Sequence, residues 1–276
     1  MKRVCIIAVC YNAFEETVKY LDSIEEAYSQ VADVELTVVL SDNSLKNVPG
    51  ELIEREMQFD YRYIKNDNVG YFPGFCLGLE EVDKDEFDYI IISNVDLEMS
   101  VDFFVNLSKQ SFSENVAVIA PAIISMADGR DLNPKILTRP SRKKLKLLMH
   151  LFSFPYFFRF YVALAKCKEF IKAKNNEPVL PDIKKEEIYA PHGSFIIFTK
   201  EYSKIENGFD YPRFLFGEEV HVGEVVRRNN LKVEYNNTLV IRDIEHGSTS
   251  LAAVRFLSKH HVLSYKFLIN KYFTVE

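Results

Sequence analysis

The chain has 276 residues, 47% of them hydrophobic, and sets 34 lysines and arginines against 40 aspartates and glutamates, a formal net charge of −6. That size allows a sizeable core in one large domain, or in one domain with an appendage. The acidic balance argues against a general nucleic-acid binder, which needs a basic excess on its docking face.

Cys5, Cys10, Cys76 and Cys167 are scattered, without a Cys-x-x-Cys pair. They offer neither a zinc motif nor a redox couple and read as reduced thiols of a cytoplasmic protein. The opening residues run basic and then apolar, like the start of a signal peptide. The apolar run stops within about seven residues and no small-residue cleavage site follows, so a first strand is the better reading. No stretch approaches the ~20 apolar residues of a spanning helix. The chain is expected to be soluble or peripheral.

In chain order, Val4 to Val9 is predicted as a buried strand, followed by a helix on which Phe14, Val18, Leu21 and Ile24 recur at helical spacing. Leu36 to Leu40 forms a second strand ending in Ser41-Asp42-Asn43-Ser44, a turn-rich run. A helix over 51–57, a strand over 61–64, a Gly-rich segment from Asn68 to Gly78, another helix and a buried strand from Phe87 to Ile92 follow. This alternation predicts a parallel sheet with helices on both faces and ligands beyond the carboxyl ends of its strands. Asn12, Asp42, Asp67 and Asp96 fall at those ends.

The second half opens with a strand at Val116 to Ala120 and a strand and turn from Pro121 to Asp131. Between Ser141 and Asn176 the composition changes: nine lysines and arginines face the single acid Glu169, interleaved with leucine, phenylalanine and tyrosine. Pro155 and Arg159 in its middle argue against a spanning helix. Two readings stay open: a helical pair whose basic side chains snorkel, or an interfacial hairpin on anionic lipid. A strand at Ser194 to Phe198, a helix from Gly217 to Arg228, short strands at 233–235 and 239–241 and a helical tail from Leu251 complete the chain.

Three acidic groups stand out. Asp96, in Ser93-Asn94-Val95-Asp96 after a buried strand, is placed to hold a hard divalent cation against a diphosphate, or simply to cap the next helix. Glu218 and Glu219 open a helix, where the macrodipole favours acids and where one of them could act as a general base. His246 lies in a polar turn after a strand, within reach of a metal if that turn folds back.

Taken together these pieces resemble the family 2 glycosyltransferases of GT-A fold, in particular their rhamnosyl- and galactofuranosyltransferase-like branch. Cys10-Tyr11-Asn12 looks like the family's Thr/Ser-Tyr-Asn, and Ser41-Asp42-Asn43-Ser44 like its Val-Asp-Asn-Ser. Asn68-Val69-Gly70-Tyr71 with Gly74 and Gly78 resembles the Asn-x-Gly-Phe-x-x-Gly segment, and Ser93-Asn94-Val95-Asp96 the Leu-Asn-Pro-Asp variant of Asp-x-Asp. Gly193-Ser194-Phe195 is similar to a small-residue pocket segment, and Gly208-Phe209-Asp210 with Phe214 to Val220 to Gly-Phe-Asp-Glu and Phe-Phe-Leu-Tyr-Gly-Glu-Asp-Val. His246-Gly247-Ser248 with Ser250 is similar to a late His-x-x-x-Ser. The order is collinear. The departures are Glu219 in place of Asp, His221 in place of a second Asp, and Phe75-Cys76 where Asn is common.

The resemblance implies an α/β fold of GT-A type: a mostly parallel Rossmann-like sheet flanked by helices, with a nucleotide half at about 1–100 and an acceptor half at about 101–250. A basic aromatic helical insert would span about 141–176, and a C-terminal tail 251–276. It implies transfer of a sugar from a UDP-, dTDP- or GDP-linked donor to a glycan or lipid-linked saccharide in cell-surface polysaccharide synthesis, with inversion. Tyr11, Asn12, Asp42, Asn43, Asn68, Gly70, Gly74 and Asn94 would bind the nucleotide, with Asp42 reading the base. Asp96 and His246 would hold Mn²⁺ or Mg²⁺, and Glu219 beside Glu218 would supply the base. No nucleic-acid partner is expected, and the place of action would be cytoplasmic, peripheral on the inner face of the membrane. A nucleotidyltransferase would need a Gly-rich basic loop where Tyr11 to Glu16 stands; a catalytically silent glycan- or lipid-binding subunit is the rival from outside enzymes.

Overall fold

The structure, a computed structural model, describes residues 1–46, 48–161, 163–164, 188–244 and 251–274, apart from the side chains of 251 and 252. One sheet of eight strands has the order β3-β2-β1-β4-β7-β6-β8-β5. Its strands are β1 Lys2–Cys10, β2 Val34–Asp42, β3 Asp60–Lys65, β4 Tyr89–Asn94, β5 Leu97–Met99, β6 Val116–Ser125, β7 Phe195–Thr199 and β8 Lys232–Asp243. The helices are α1 Phe14–Tyr28, α2 Gly50–Ile53, α3 Tyr71–Glu80, α4 Phe103–Lys109, α5 Arg142–Phe152, α6 Lys200–Ser203, α7 Glu218–Arg228 and α8 Leu251–Tyr272.

Strands β1 to β4 are parallel, with Val9 beside Ser41 and Asn94. Beyond β4 the sheet is mixed: β7 runs antiparallel to both β4 and β6, β8 is parallel to β6, and β5 is antiparallel to β8. The continuous apolar run of β1 follows from burial on both faces. Val4, Ile6, Ala8 and Cys10 meet the core under α1, while Cys5, Ile7 and Val9 meet the core under α3, α7 and α8.

Several boundaries differ from those the sequence predicts. Helix α3 begins inside the Gly-rich segment: a Cβ at Gly78 would stand 2.5 Å from Ile7, so glycine there serves close helix–strand approach. The helix expected over 51–57 is a single turn, Gly50–Ile53. The two short strands expected at 233–235 and 239–241 are one strand, β8, whose Asn236-Asn237 pair lies at a register shift opposite Pro121 and Ala122. Pro121 sits within β6 at that irregularity, where a missing N–H is tolerated.

Of the basic aromatic insert, α5 and the helical residues 155–161 are described; residues 165–187 lie outside the described residues. The C-terminal helix packs on its own domain. The Ser258 hydroxyl donates to the Phe152 carbonyl of α5. His221, fully buried on α7, bridges Gly208 O (2.9 Å) and the Tyr272 hydroxyl (2.6 Å). Burial lowers its pKa to about 4, so a neutral ring donates through Nε2 and accepts at Nδ1.

Glu224, also fully buried, accepts from Arg139 (2.6 Å), Arg227 (3.0 Å) and the Tyr189 hydroxyl (2.8 Å). Burial opposes its charge, but these hydrogen bonds outweigh it and hold the carboxyl below its ordinary value. Glu224→Ala is expected to cost about 2 kcal/mol at neutral pH in urea unfolding, since Arg139 and Arg227 are part-exposed and rehydrate while Tyr189 loses its partner. A lowered folded pKa stabilises above the unfolded value near 4.5 and is lost as pH falls through the folded one. The gap between variant and wild type should therefore narrow in acid.

Candidate active site

Beyond the carboxyl ends of β1 and β4 lies a cleft of about 1060 Å³. One wall comes from Val9, Tyr11, Asn43, Asn68 and Gly70, and the far wall from Asn94, Asp96, Lys135, His192 and the run Phe214 to Val220. Residues of α5 and α8, among them Lys144, Leu148, Phe256 and His261, close the remaining side.

On the nucleotide side the motif residues form one hydrogen-bonded corner. Asn12 adopts a φ of +54°, and its N–H donates to the Ser44 hydroxyl at 2.7 Å. Asn43 donates through Nδ2 to Gly70 O at 2.8 Å, while its buried Oδ1 has no hydrogen-bond partner. Gly74 stands behind Asn43, where a Cβ would come within 2.6 Å of Nδ2. Asp42 is buried and accepts from the Ser44 N–H, the Tyr63 hydroxyl and the Lys65 ammonium at 2.8–2.9 Å. Burial alone would raise its carboxyl; these bonds keep it below its ordinary value. Of the expected nucleotide residues, Tyr11, Asn43, Asn68, Gly70 and Asn94 line the cleft, while Asn12, Asp42 and Gly74 stand one layer behind.

The acids meet at the opposite end. Asn94 is fixed by its N–H to Ser194 O (2.8 Å), and Asp96 O accepts from Ile244 N–H (3.1 Å). Phe216 (φ +65°) and Gly217 (φ +87°) turn the chain so that Glu218 and Glu219 enter α7 facing the cleft. A Cβ at Gly217 would strike Ser264 and Tyr211, so the turn requires glycine. The hydroxyls of Tyr211 (2.5 Å) and Ser264 (2.7 Å) both donate to Phe216 O, and the His261 ring stacks on Phe216 at 3.7 Å.

Glu218 is buried against Gly193, and burial together with the neighbouring Glu219 raises its carboxyl well above the ordinary range. Tyr71, whose hydroxyl donates to Gly193 O at 2.8 Å, feels Glu218 and Asp96; burial first, then these charges, raise its pKa. Thus Asp96, Glu218 and Glu219 converge on one end of the cleft. His246 lies outside the described residues. Among the described residues no group of three His, Cys, Asp or Glu is close enough to hold a metal.

Sequence reasoning missed four residues here. Tyr71 sat within a quoted motif, and His192 directly precedes the small-residue segment Gly193-Ser194. His192 contacts the Ser194 hydroxyl (2.8 Å) and the Lys135 ammonium (3.2 Å), and burial with Lys135 lowers its pKa to about 3. Lys135 and His261 carried no sequence signal.

A mixed α/β sheet with its cleft at this edge is the GT-A-type glycosyltransferase fold. The chain is similar to S. aureus TarS (TM-score 0.52, 9% identity), with 89% of this chain covered and 37% of that one. It is also similar to TarS 1–349 (0.54, 9%, covering 100% and 75%) and to TarS 1–349 in complex with UDP-GlcNAc (0.55, 9%, covering 98% and 67%). No protein-family model and no curated protein sequence matches the chain. At this identity the likeness is one of fold.

A buried carboxyl with a raised pKa destabilises the folded state above the unfolded pKa, where the unfolded chain ionises freely. Glu218→Gln should therefore raise the melting temperature at neutral and alkaline pH and leave it nearly unchanged near pH 4. A variant less stable than wild type at pH 8 would contradict this.

Proposed function

We propose that the chain transfers a sugar from a nucleoside diphosphate to a glycan or lipid-linked saccharide, as a family 2 glycosyltransferase of the rhamnosyl- or galactofuranosyltransferase-like branch working at the inner face of the membrane. The observation that carries this reading is the polarity of the cleft: nucleotide-motif residues at one end and three converging carboxylates at the other. The likeness to a TarS structure containing UDP-GlcNAc supports a sugar nucleotide as donor.

In this reading Asn43 stands with Tyr11, Asn68 and the backbone at Gly70 on the wall that takes the base or ribose. Asp42 acts from behind, holding Ser44 and Lys65 in place. The donors at the other end are hard carboxylate oxygens, which suit Mn²⁺ or Mg²⁺ shared with substrate phosphates; Asp96 would hold the ion, with His246 completing its site. When bound, such an ion offsets charge on the departing diphosphate. Lys135 adds a fixed cation on the same wall.

Glu219 takes the proton of the acceptor hydroxyl as its oxygen forms the new bond to the anomeric carbon. The bond from that carbon to the diphosphate breaks on the opposite side, so one displacement inverts the configuration. Glu218, whose carboxyl is raised by burial and by Glu219, carries less negative charge beside Glu219 than an ordinary glutamate would.

A thermal-shift screen with UDP-, dTDP- and GDP-sugars, with and without Mn²⁺, tests the site. A donor at ~100 times its dissociation constant adds about 2.7 kcal/mol, and Asp96→Ala should remove the metal-dependent part. Glu219→Gln should keep the shift yet lower turnover by about 10²–10⁴-fold, and NMR of the product should show the inverted anomer. Absence of any shift would favour a silent binding subunit.

A further inference from the structure

We propose that the outer face formed by α5, residues 155–161 and α8 is a docking surface for an anionic lipid bilayer, and that it sets the mouth of the cleft at the membrane surface. Residues 141–164 and 251–272 contain no aspartate or glutamate. These two stretches pack side by side, with the Phe152 ring against those of His261 (5.3 Å) and Tyr265 (5.9 Å). Their outward side exposes Lys143, Lys144, Lys146, Arg159, Arg255 and Lys259 on a chain of net charge −6. A basic face segregated on an acidic molecule selects a polyanionic partner.

The apolar side chains decide which polyanion. Tyr156 is 80% exposed, Phe160 63%, Leu147 58%, Phe157 56% and Phe154 50%. Exposed aromatics at this density, interleaved with cations, match the headgroup level of a bilayer, where rings enter the acyl boundary and ammonium or guanidinium groups stay with phosphates. A polyanion without apolar or ring surface of its own has nothing to cover those rings. Among the described residues no helix is long and apolar enough to cross a membrane, so this face lies on the bilayer.

The surface is continuous with the cleft. Lys144, Leu148, Tyr161 and Phe256 belong to the basic aromatic stretches and also line the cleft. An acceptor anchored by a lipid would reach Asp96 and Glu219 from the side without leaving the membrane. That last step rests on the transferase reading; the docking does not.

Co-sedimentation of the full chain with phosphatidylcholine vesicles, with and without phosphatidylglycerol, tests the proposal. Wild type should bind the anionic vesicles and leave the neutral ones. Lys143→Glu/Lys146→Glu should weaken binding at least about tenfold, and Tyr156→Ser/Phe157→Ser should weaken it by a similar factor. Melting curves confirm that each variant folds. Failure of wild type to sediment with anionic vesicles overturns the proposal. So does undiminished binding of the aromatic variant with loss in the charge variant, the pattern of a soluble anionic polymer. The sugar-nucleotide melting shift is read separately, so failure of docking and failure of the transferase reading are told apart.

Discussion

The geometry of the cleft hangs on one carbonyl. Phe214 O accepts from the Tyr71 N–H at 2.9 Å and lies directly against Gly70, whose φ of +98° and missing Cβ leave it room. Gly70 precedes α3, and Phe214 belongs to the segment that delivers Glu218 and Glu219. Any side chain at 70 would push that carbonyl away, and the turn at Phe216 and Gly217 would move with it. The Tyr71 hydroxyl closes the same junction from the other side through Gly193 O. Two backbone segments that share no sheet pairing are thus held at hydrogen-bonding distance, and the distance between donor and acid ends of the cleft follows from it.

The C-terminal helix completes that arrangement, so it is a wall of the site as much as a tail. Ser264 holds Phe216 O, His261 stacks on the Phe216 ring, and Tyr272 caps the buried His221 of α7. His221 stands where the resembling family has an aspartate. A neutral imidazole between a carbonyl and a phenol satisfies both of its ring nitrogens at a buried position, where a carboxylate would have met the carbonyl as a like dipole. The departure is therefore explained by packing between α7 and α8.

Much of this was legible in the sequence because it is local. Doubly buried strands read as unbroken apolar runs, and Asp96, Glu218 and Glu219 stand at strand and helix ends where position alone marks them. The break between the strands expected at 233–235 and 239–241 is a register shift within one strand, which only the pairing with β6 reveals. Asp42 was visible as an acid at a strand end. That its Oδ2 is taken by Tyr63 and Lys65 depends on the register of β2 with β3, which sets Asp42 beside Lys65. Tyr71 and Gly193 are 122 residues apart, and Lys135 reaches His192 across 57. Contacts of that kind have no periodicity to reveal them.

Charge gives the final constraint. Under the proposed transferase reading, a diphosphate entering a cleft whose far end carries Asp96, Glu218 and Glu219 would meet like charge at short range, where even in water two charges 4 Å apart cost about 1 kcal/mol and in a partly dry cleft more. Burial and the neighbouring Glu219 push the Glu218 carboxyl well above its ordinary value, which lessens the negative charge it carries there. Lys135 supplies a cation on the same wall; it opposes protonation of His192 and draws on Glu218. Burying Glu218 costs stability while its carboxyl is ionised. At larger scale the charges are separated as well: Lys143, Lys146, Arg255 and Lys259 of α5 and α8 are exposed, while Asp96, Glu218 and Glu219 line the cleft.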